Sequence, residues 1–387
     1  MFTGHIDTNH ANSNANRGYQ ILRWLCVGVL IYVLIVAVRL IGVGFESTTG
    51  AQAKELFLLA KNPFLGLIIG TVATALIQSS STVTSIIVGL VAGGLPVATA
   101  IPMVMGANIG TTLTNTLVSL GHVSDKHEFK RAFAAATVHD SFNLLSVAIF
   151  FPLELFFHPL ETICHQLAIA FVDRESVAIG EMNVLKTATA PVIDVATDAA
   201  HGLSMLSSGI ILIVVGISLI ILTITLMGNL LKELMVGRAR DILYTAMGRG
   251  SIVGILTGCL ITVVVQSSST TTSLMIPLAG AGVFNLAQIY PFTLGANIGT
   301  CITALLAAAV VSGSEAIPAI EIATVHLVYN TLSVLIVYGT PFLRPLPIIG
   351  AEKLASVASE RKYLALVYVL SVFFVIPGLL LGITTLT

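Results

Sequence analysis

One pentapeptide, Gln-Ser-Ser-Ser-Thr, occurs twice, at residues 78–82 and 266–270, and each copy lies inside a long apolar run. Such a polar interruption constrains the fold severely. In hydrocarbon, an interrupted backbone must be satisfied by protein or by a water-lined cavity. The pattern around the two copies also repeats in the same order. Gly106-Ala107-Asn108-Ile109-Gly110-Thr111 is matched by Gly295-Ala296-Asn297-Ile298-Gly299-Thr300. Thr137-Val138-His139 with Asn143 is matched by Thr324-Val325-His326 with Asn330. The three pairs stand 188, 189 and 187 residues apart. Three motifs in one order at nearly one spacing mark a duplicated unit. An internal repeat with polar breaks in apolar helices points to a carrier whose site lies between the repeats.

Composition agrees with a chain that lives in a bilayer. Hydrophobic residues make up 56% and charged residues 10% of the chain, where a soluble domain carries about 25% charged residues. Mean hydropathy is +0.97. A formal net charge of −1 gives no reason to expect a nucleic-acid partner. Cys26, Cys164, Cys259 and Cys301 lack metal-ligand or CxxC spacing. No cleavable signal pattern opens the sequence, and residues 1–18, polar and rich in Asn and His, read as a disordered cytoplasmic tail.

Apolar runs of at least about 18 residues read as membrane spans. They fall near 19–44, 97–120, 129–153, 204–231, 286–311, 317–343 and 363–387. Residues 63–93 and 251–284 instead suit two short helices each, broken by the serine run. Re-entrant hairpins with mid-membrane tips fit them, and two full spans side by side is the competing reading. Gly66 and Gly70, like Gly254 and Gly258, are four apart, which favours close helix packing there. Gly106, Gly110, Gly295 and Gly299 read as permitting a helix break.

The expected fold is an all-α polytopic membrane protein with a first repeat at 19–172, an external connection at 173–203 and a second repeat at 204–387. Basic residues set the orientation. Lys126, Lys130 and Arg131 mark one cytoplasmic connection, Lys232, Arg238, Arg240 and Arg249 a second, and Arg344, Lys353, Arg361 and Lys362 a third, while Lys54 and Lys61 on the external side count against the scheme. The acidic connection 173–203 reads as external. Three crossings in the first repeat invert the second, so the expectation is two inverted-topology repeats, each with a re-entrant hairpin and broken helices. The chain then sits in the inner cell membrane with its N-terminus cytoplasmic.

The repeated residues are rich in oxygen and almost free of charge. Hydroxyls and amides both donate and accept. Hard cations prefer oxygen ligands, and helix N-termini supply amide donors to an anion. A divalent oxyanion brings −2 to mid-membrane, and two helix N-termini offer roughly +1 at most. Neither hairpin core holds a Lys or Arg to supply the rest. Co-bound cations remove an otherwise large cost of burying charge, which gives a physical reason for cotransport.

The paired pentapeptides, the paired Gly-Ala-Asn-Ile-Gly-Thr motifs and Glu128-Phe129-Lys130-Arg131-Ala132-Phe133 leading to Thr137-Val138-His139-Asp140 resemble the type II sodium-dependent phosphate cotransporter family, as a bacterial member. The resemblance covers roughly residues 20–345. It implies a sodium-driven symporter of inorganic phosphate, with sodium as the co-transported ion, no organic cofactor and no enzymatic activity. It places phosphate at Gln78, Ser79, Ser80 and Ser81 and at Gln266, Ser267, Ser268 and Ser269. Asn108 and Asn297 join these as ligands or site-shaping groups. It makes Gln266, Ser267, Thr300 and Thr303 sodium ligands, with Gln78, Ser79, Thr111 and Thr114 as their symmetry mates. Asp125 resembles the family's aspartate linked to an additional sodium.

Bland readings stand beside these. A lone hydroxyl in a membrane helix usually bonds its own backbone, although two aligned serine runs are harder to dismiss so. His139 and His326 suit structural hydrogen bonds between helices better than proton transfer. Asp140 has no acidic mate, since Leu327 occupies the equivalent position, and Asp125 also reads as a loop carboxylate. The rival functions are a sodium-coupled carrier of another oxyanion, such as sulfate or a dicarboxylate, and an intramembrane serine protease using His139 and Asp140. No GxSxG elbow surrounds either serine run. Oligomeric state is not legible.

Overall fold

A computed structural model describes residues 8–48, 62–174, 179–200, 205–246, 249–309, 311 and 313–386, and no strand occurs among them. The first half holds α1 (Thr8–Thr48), α2 (Pro63–Ile77), α3 (Ser80–Ala92), α4 (Val97–Gly110), α5 (Leu113–Ser119), α6 (Lys126–Phe157), α7 (Pro159–Arg174) and α8 (Ile179–Ala200). The second holds α9 (Met205–Ala246), α10 (Ser251–Val265), α11 (Ser268–Ser273), α12 (Met275–Gly280), α13 (Leu286–Ala308), α14 (Ala316–Ser333), α15 (Leu346–Glu360), α16 (Tyr363–Leu370) and α17 (Ile376–Leu386).

Among the described residues, seven helical stretches are long and apolar enough to cross a membrane: 22–44, 97–122, 126–157, 207–227, 286–308, 313–338 and 363–380. They coincide with the seven expected spans. α2 and α3 have 15 and 13 residues, which at about 1.5 Å per residue gives roughly 20 Å each. A bilayer core is about 30 Å thick, so neither helix crosses alone.

Local chemistry sets the helix starts. Asn62 caps α2 through its side chain, 3.0 Å from the Phe64 N–H, and Pro63 follows at the first helical position. Asn285 and Gln288 form a reciprocal capping box at the start of α13. The largest core cluster draws on both halves, including Ile41, Val83, Ile101, Phe150, Ala304, Ile322 and Tyr329.

Glycine lets backbones touch in both halves. A Cβ at Gly70 would collide with the Met103 carbonyl, and one at Gly106 with the Leu67 carbonyl, where α2 meets α4. At Gly258 and Gly295 it would collide with the carbonyls of Phe292 and Ile255, where α10 meets α13. Small residues four apart thus make a mutual seam, as in other membrane helix pairs.

The seam corrects one expectation. Gly295 and Gly299 lie inside the continuous helix α13, and Gly106 and Gly110 lie inside α4. Gly106, Gly295 and Gly299 serve approach rather than interruption, whereas Gly110 both makes a close approach and ends α4 just before a turn. Only the first half has a turn nearby, at Thr111–Thr112. Two further differences concern polar segments. The described part of the expected disordered tail, residues 8–18, belongs to α1, and residues 1–7 lie outside the described residues. Much of the acidic connection is the helix α8. It lies against α1, where the Tyr32 hydroxyl donates to the Ala188 carbonyl at 2.9 Å and Arg39 bonds Thr189. Ile193 joins Val36, Leu40 and Leu212 in a small apolar cluster.

Candidate functional site

Each pentapeptide folds into the same two-residue elbow. Gln78 closes α2 in the left-handed region at φ 58°, ψ 29°, and its N–H donates to the Thr74 carbonyl at 2.7 Å. Gln266 closes α10 at φ 55°, ψ 27°, with its N–H 2.7 Å from the Thr262 carbonyl. The next residues, Ser79 and Ser267, are extended at φ −151° and −155°. Their hydroxyls accept from the N–H groups of Thr82 and Thr270 at 3.2 and 3.1 Å. Left-handed backbone at a non-glycine residue costs of order 1–3 kcal/mol and persists where the surroundings over-determine it. Finding that strain at both equivalent glutamines marks the elbow as a retained feature.

The two elbows meet one cavity of about 190 Å³. Gln78 and Ser79 line it from one side, and Gln266, Ser267 and Thr270 from the other. Thr225 and Asn229 of α9 complete the wall. At about 30 Å³ per water, the space holds roughly six waters or a small hydrated ion. The hydroxyls of Thr84, Ser85, Thr271 and Thr272 bond back to carbonyls of their own turns. The carbonyls of Ser80, Ser81 and Ser268 accept three of those bonds while their own hydroxyls take no part in them; all three residues are buried, and neither they nor Ser269 line the cavity. Ser269 approaches the Thr111 carbonyl at 3.5 Å. Asn115 and Thr272 bond across the halves at 2.9 Å.

Several of the expected sodium ligands are neighbours. The Thr303 hydroxyl donates to Gln266 Oε1 at 2.8 Å, and Gln266 Nε2 donates to the Val263 carbonyl at 2.6 Å. Thr300 Oγ1 is buried without a partner, and so is Thr262 Oγ1 on the last turn before the elbow. In the first half, the hydroxyls of Thr114 and Thr74 are likewise buried and unpartnered. The Thr111 hydroxyl bonds the Ala107 carbonyl at 3.0 Å.

Asn108 and Asn297 do not line the elbow cavity. Each locks two side chains of the opposite half. Asn297 accepts from His139 Nε2 at 2.6 Å and donates to Asn143 Oδ1 at 2.8 Å. Asn108 accepts from His326 Nε2 at 3.2 Å and donates to Asn330 Oδ1 at 2.7 Å. The Asn143 amide also reaches the Asn108 carbonyl at 2.7 Å. All six side chains are at most 4% exposed. Both rings must carry the proton on Nε2 to donate here, and both Nδ1 atoms are buried without a partner. This crossed interlock accounts for the repeated His and Asn residues.

Two acidic residues have separate environments. Asp125 caps α6, with Oδ1 2.8 Å from the N–H groups of both His127 and Glu128. These bonds, that from Glu128 first, hold its carboxyl below the usual carboxylate range. It is exposed and lies outside the spans. Asp140 is 2% exposed within α6. Tyr368 donates to its Oδ2 at 3.1 Å, and its Oδ1 is buried without a hydrogen bond of ordinary geometry, with the Thr116 hydroxyl as a near neighbour of the carboxylate. With His139 held by Asn297 and Asp140 by Tyr368, neither is arranged with an elbow serine as a hydrolytic triad.

A family model described as Na+/Pi-cotransporter matches residues 33–172 and 219–343, one segment in each half. The chain belongs to the Na+/Pi-cotransporter family. Among its relatives, human sodium-dependent phosphate transport protein 2B is 30% identical over 93% of this chain and 65% of its own length. The 2A protein of Rattus norvegicus is 30% identical over 96% of this chain and 69% of its own. The 2B protein of Bos taurus is 31% identical over 94% and 65%. The chain thus spans about two thirds of the length of these relatives. No solved structure matches it. Both elbows, the glycine seams and all six interlock residues fall in the segments matched to the family.

Sequence reasoning missed Thr225 and Asn229. Asn229 was the available signal, as a lone amide in the apolar run Leu226-Met227-Gly228-Asn229-Leu230.

Proposed function

We propose that this chain is a sodium-coupled symporter that imports inorganic phosphate by alternating access across the inner cell membrane, with its N-terminus cytoplasmic. The observation that carries the reading is the shared cavity between two elbows of one backbone conformation, in a chain of the Na+/Pi-cotransporter family. The hydroxyls of Ser80, Ser81, Ser268 and Ser269 and the polar groups of Gln78, Ser79, Gln266 and Ser267 hold the phosphate. Sodium sits on Gln266, Ser267, Thr300 and Thr303, where an unpartnered hydroxyl and an amide oxygen already lie. Gln78, Ser79, Thr111 and Thr114 are the mates of that set. Asn108 and Asn297 act through the interlock and shape the site without touching the anion. The positive charge of sodium replaces the basic residue that neither elbow possesses.

The short α2 and α3, and α10 with α11 and α12, are read as re-entrant hairpins of two inverted repeats. Cysteines placed just before Pro63 and just after Arg249, in a cysteine-free background, should then label from opposite faces. Labelling from one face would remove the inversion.

An additional sodium needs a carboxylate, and two compete for it. Asp125 has its Oδ1 committed to two backbone N–H groups and is exposed. Asp140 is buried with one oxygen in no hydrogen bond of ordinary geometry, and a buried ionisable group in a membrane is a functional candidate by default. The geometry favours Asp140.

Radiolabelled phosphate uptake into proteoliposomes tests the whole reading. Uptake should follow an imposed inward sodium gradient and vanish when potassium replaces sodium. Sulfate or a dicarboxylate that enters in place of phosphate would make the chain a carrier of another oxyanion.

A further inference from the structure

A second and larger cavity, about 870 Å³ and sharing no lining residue with the first, opens between α6, the end of α12 and α15. Its chemistry differs from that of the elbow cavity. Lys130, Arg131 and Lys353 face it, against the single carboxylate of Glu352. Much of the wall is apolar, from Ala134, Ala135, Ala279, Leu286 and Val357. Arg131 is fixed there, because its Nε donates to the Gly280 carbonyl at 2.8 Å and to the Ala279 carbonyl at 3.3 Å. Its Nη1 takes no part in these bonds. The N-terminus of α13, at Asn285 and Leu286, also reaches the cavity, and a helix N-terminus adds positive potential.

A hydrated ion gains nothing from the apolar wall, and an uncharged lipid gains nothing from three cations. An anionic amphiphile uses both. The site also lies where two basic connections come together, at the boundary of the spans. Val357 on its rim is 52% exposed, as are Leu346 at 44% and Ile349 at 42% along the same helix, so the wall continues onto an apolar surface of α15. Basic pockets between membrane helices on the cytoplasmic side suit anionic headgroups. We propose that this cavity binds one anionic phospholipid, with the phosphate between Lys130, Arg131 and Lys353 and the chains along Leu286 and Val357. Ser356 supplies a further hydroxyl to the headgroup.

The inference rests on the membrane placement of the chain and is independent of what the elbows carry. Its test is native mass spectrometry of the full chain, released from nanodiscs of equal phosphatidylglycerol and phosphatidylcholine. The wild type should keep one phosphatidylglycerol in large excess over phosphatidylcholine. Each lysine near an anionic headgroup is worth about fivefold in affinity, so K130Q with K353Q should weaken retention roughly tenfold or more. Glu352→Gln removes the opposing carboxylate and should strengthen retention, which keeps the test valid if the double variant folds badly. Inorganic phosphate at millimolar concentration should not displace the lipid. Equal retention of both lipids, no gain from Glu352→Gln, or displacement by phosphate would overturn the proposal. The last result would make the cavity a vestibule for the free ion.

Discussion

Gln78 and Gln266 share one backbone conformation, φ 58°, ψ 29° against φ 55°, ψ 27°, yet their side chains have different surroundings. Gln266 is 8% exposed and holds Thr303, whereas Gln78 is exposed. Downstream, α3 runs 13 residues without interruption, while its counterpart is divided at Leu274 into α11 and α12. The first half turns at Thr111–Thr112, and the second runs straight through Thr300 in α13. The halves therefore agree in their elbows, glycine seams and interlock, and differ in the environment around them. That division is what the proposed alternating access requires. The parts common to both halves are the proposed site and its supports. On the proposed inverted pair, the parts that differ define one conformational state, because any single state opens one half more than the other. Exchange of the two environments would bury Gln78 and expose Gln266.

The largest expected effect tests the common part. Gly106→Val and Gly295→Val each drive a branched side chain into a backbone carbonyl that cannot retreat. Each should cost more than about 4 kcal/mol, and neither variant should give a monodisperse protein on size-exclusion chromatography. Normal behaviour of one variant would show that the two seams are not equivalent.

Next in size is the loss of one hydroxyl from an elbow. Ser80→Ala and Ser268→Ala should each weaken phosphate binding about tenfold or more, since a hydrogen bond to a charged ligand is worth roughly 1.5–3 kcal/mol. Calorimetric titration of the purified variants measures it. Similar losses in both mean that both elbows hold the anion. A loss in Ser268→Ala alone would make the first elbow a gate, and no loss in either would remove the phosphate assignment.

The interlock should respond more mildly. Asn108→Ala and Asn297→Ala each strand two buried polar groups of the opposite half, which costs about 1–3 kcal/mol per group left unsatisfied. Thermal unfolding in detergent should fall for both by similar amounts. Direct phosphate binding should change less than in the serine variants, since both amides are spent on the interlock. If phosphate affinity falls as far as in Ser268→Ala, the asparagines touch the anion and the positioning reading is wrong.

The sequence carries the common part well and the differing part poorly, for a physical reason. Spans, the pentapeptide breaks and the small-residue seams are encoded locally by apolar length, hydroxyl runs and spacing of four. The partners in the interlock are 154 to 222 residues apart, and no local periodicity announces them. A polar stretch can also be helical when it finds another helix to cover it, as α8 does on α1. The glycines of Gly-Ala-Asn-Ile-Gly-Thr show how composition misleads. A glycine that permits a break and a glycine that permits contact look the same until the facing backbone is known.

The smallest expected effect belongs to Asp125, and it separates the two carboxylates that break the symmetry of the halves. Asp140 is matched by Leu327, and at the place of Asp125 the second half offers only Glu315, which precedes α14 without a side-chain cap bond, so one additional charged site is expected rather than two. Three sodium ions with a divalent phosphate carry a net +1 per cycle, and moving that charge through 100 mV is worth about 2.3 kcal/mol. Two sodium ions give a neutral cycle that ignores voltage. Asp140 already has a buried oxygen in no hydrogen bond of ordinary geometry, whereas Asp125 accepts two backbone N–H groups at the start of α6. Asparagine at position 125 can still accept as a helix cap, so Asp125→Asn should keep both the fold and the voltage response. Asp140→Asn keeps the shape of the side chain and its contact with Tyr368 but removes the charge, and should transport without responding to voltage. The measurement is phosphate uptake into proteoliposomes at a fixed sodium gradient, with the potential set by potassium and valinomycin. If Asp125→Asn loses the voltage response while Asp140→Asn keeps it, the additional sodium sits at the start of α6. In that case the buried carboxylate is a structural partner of Tyr368.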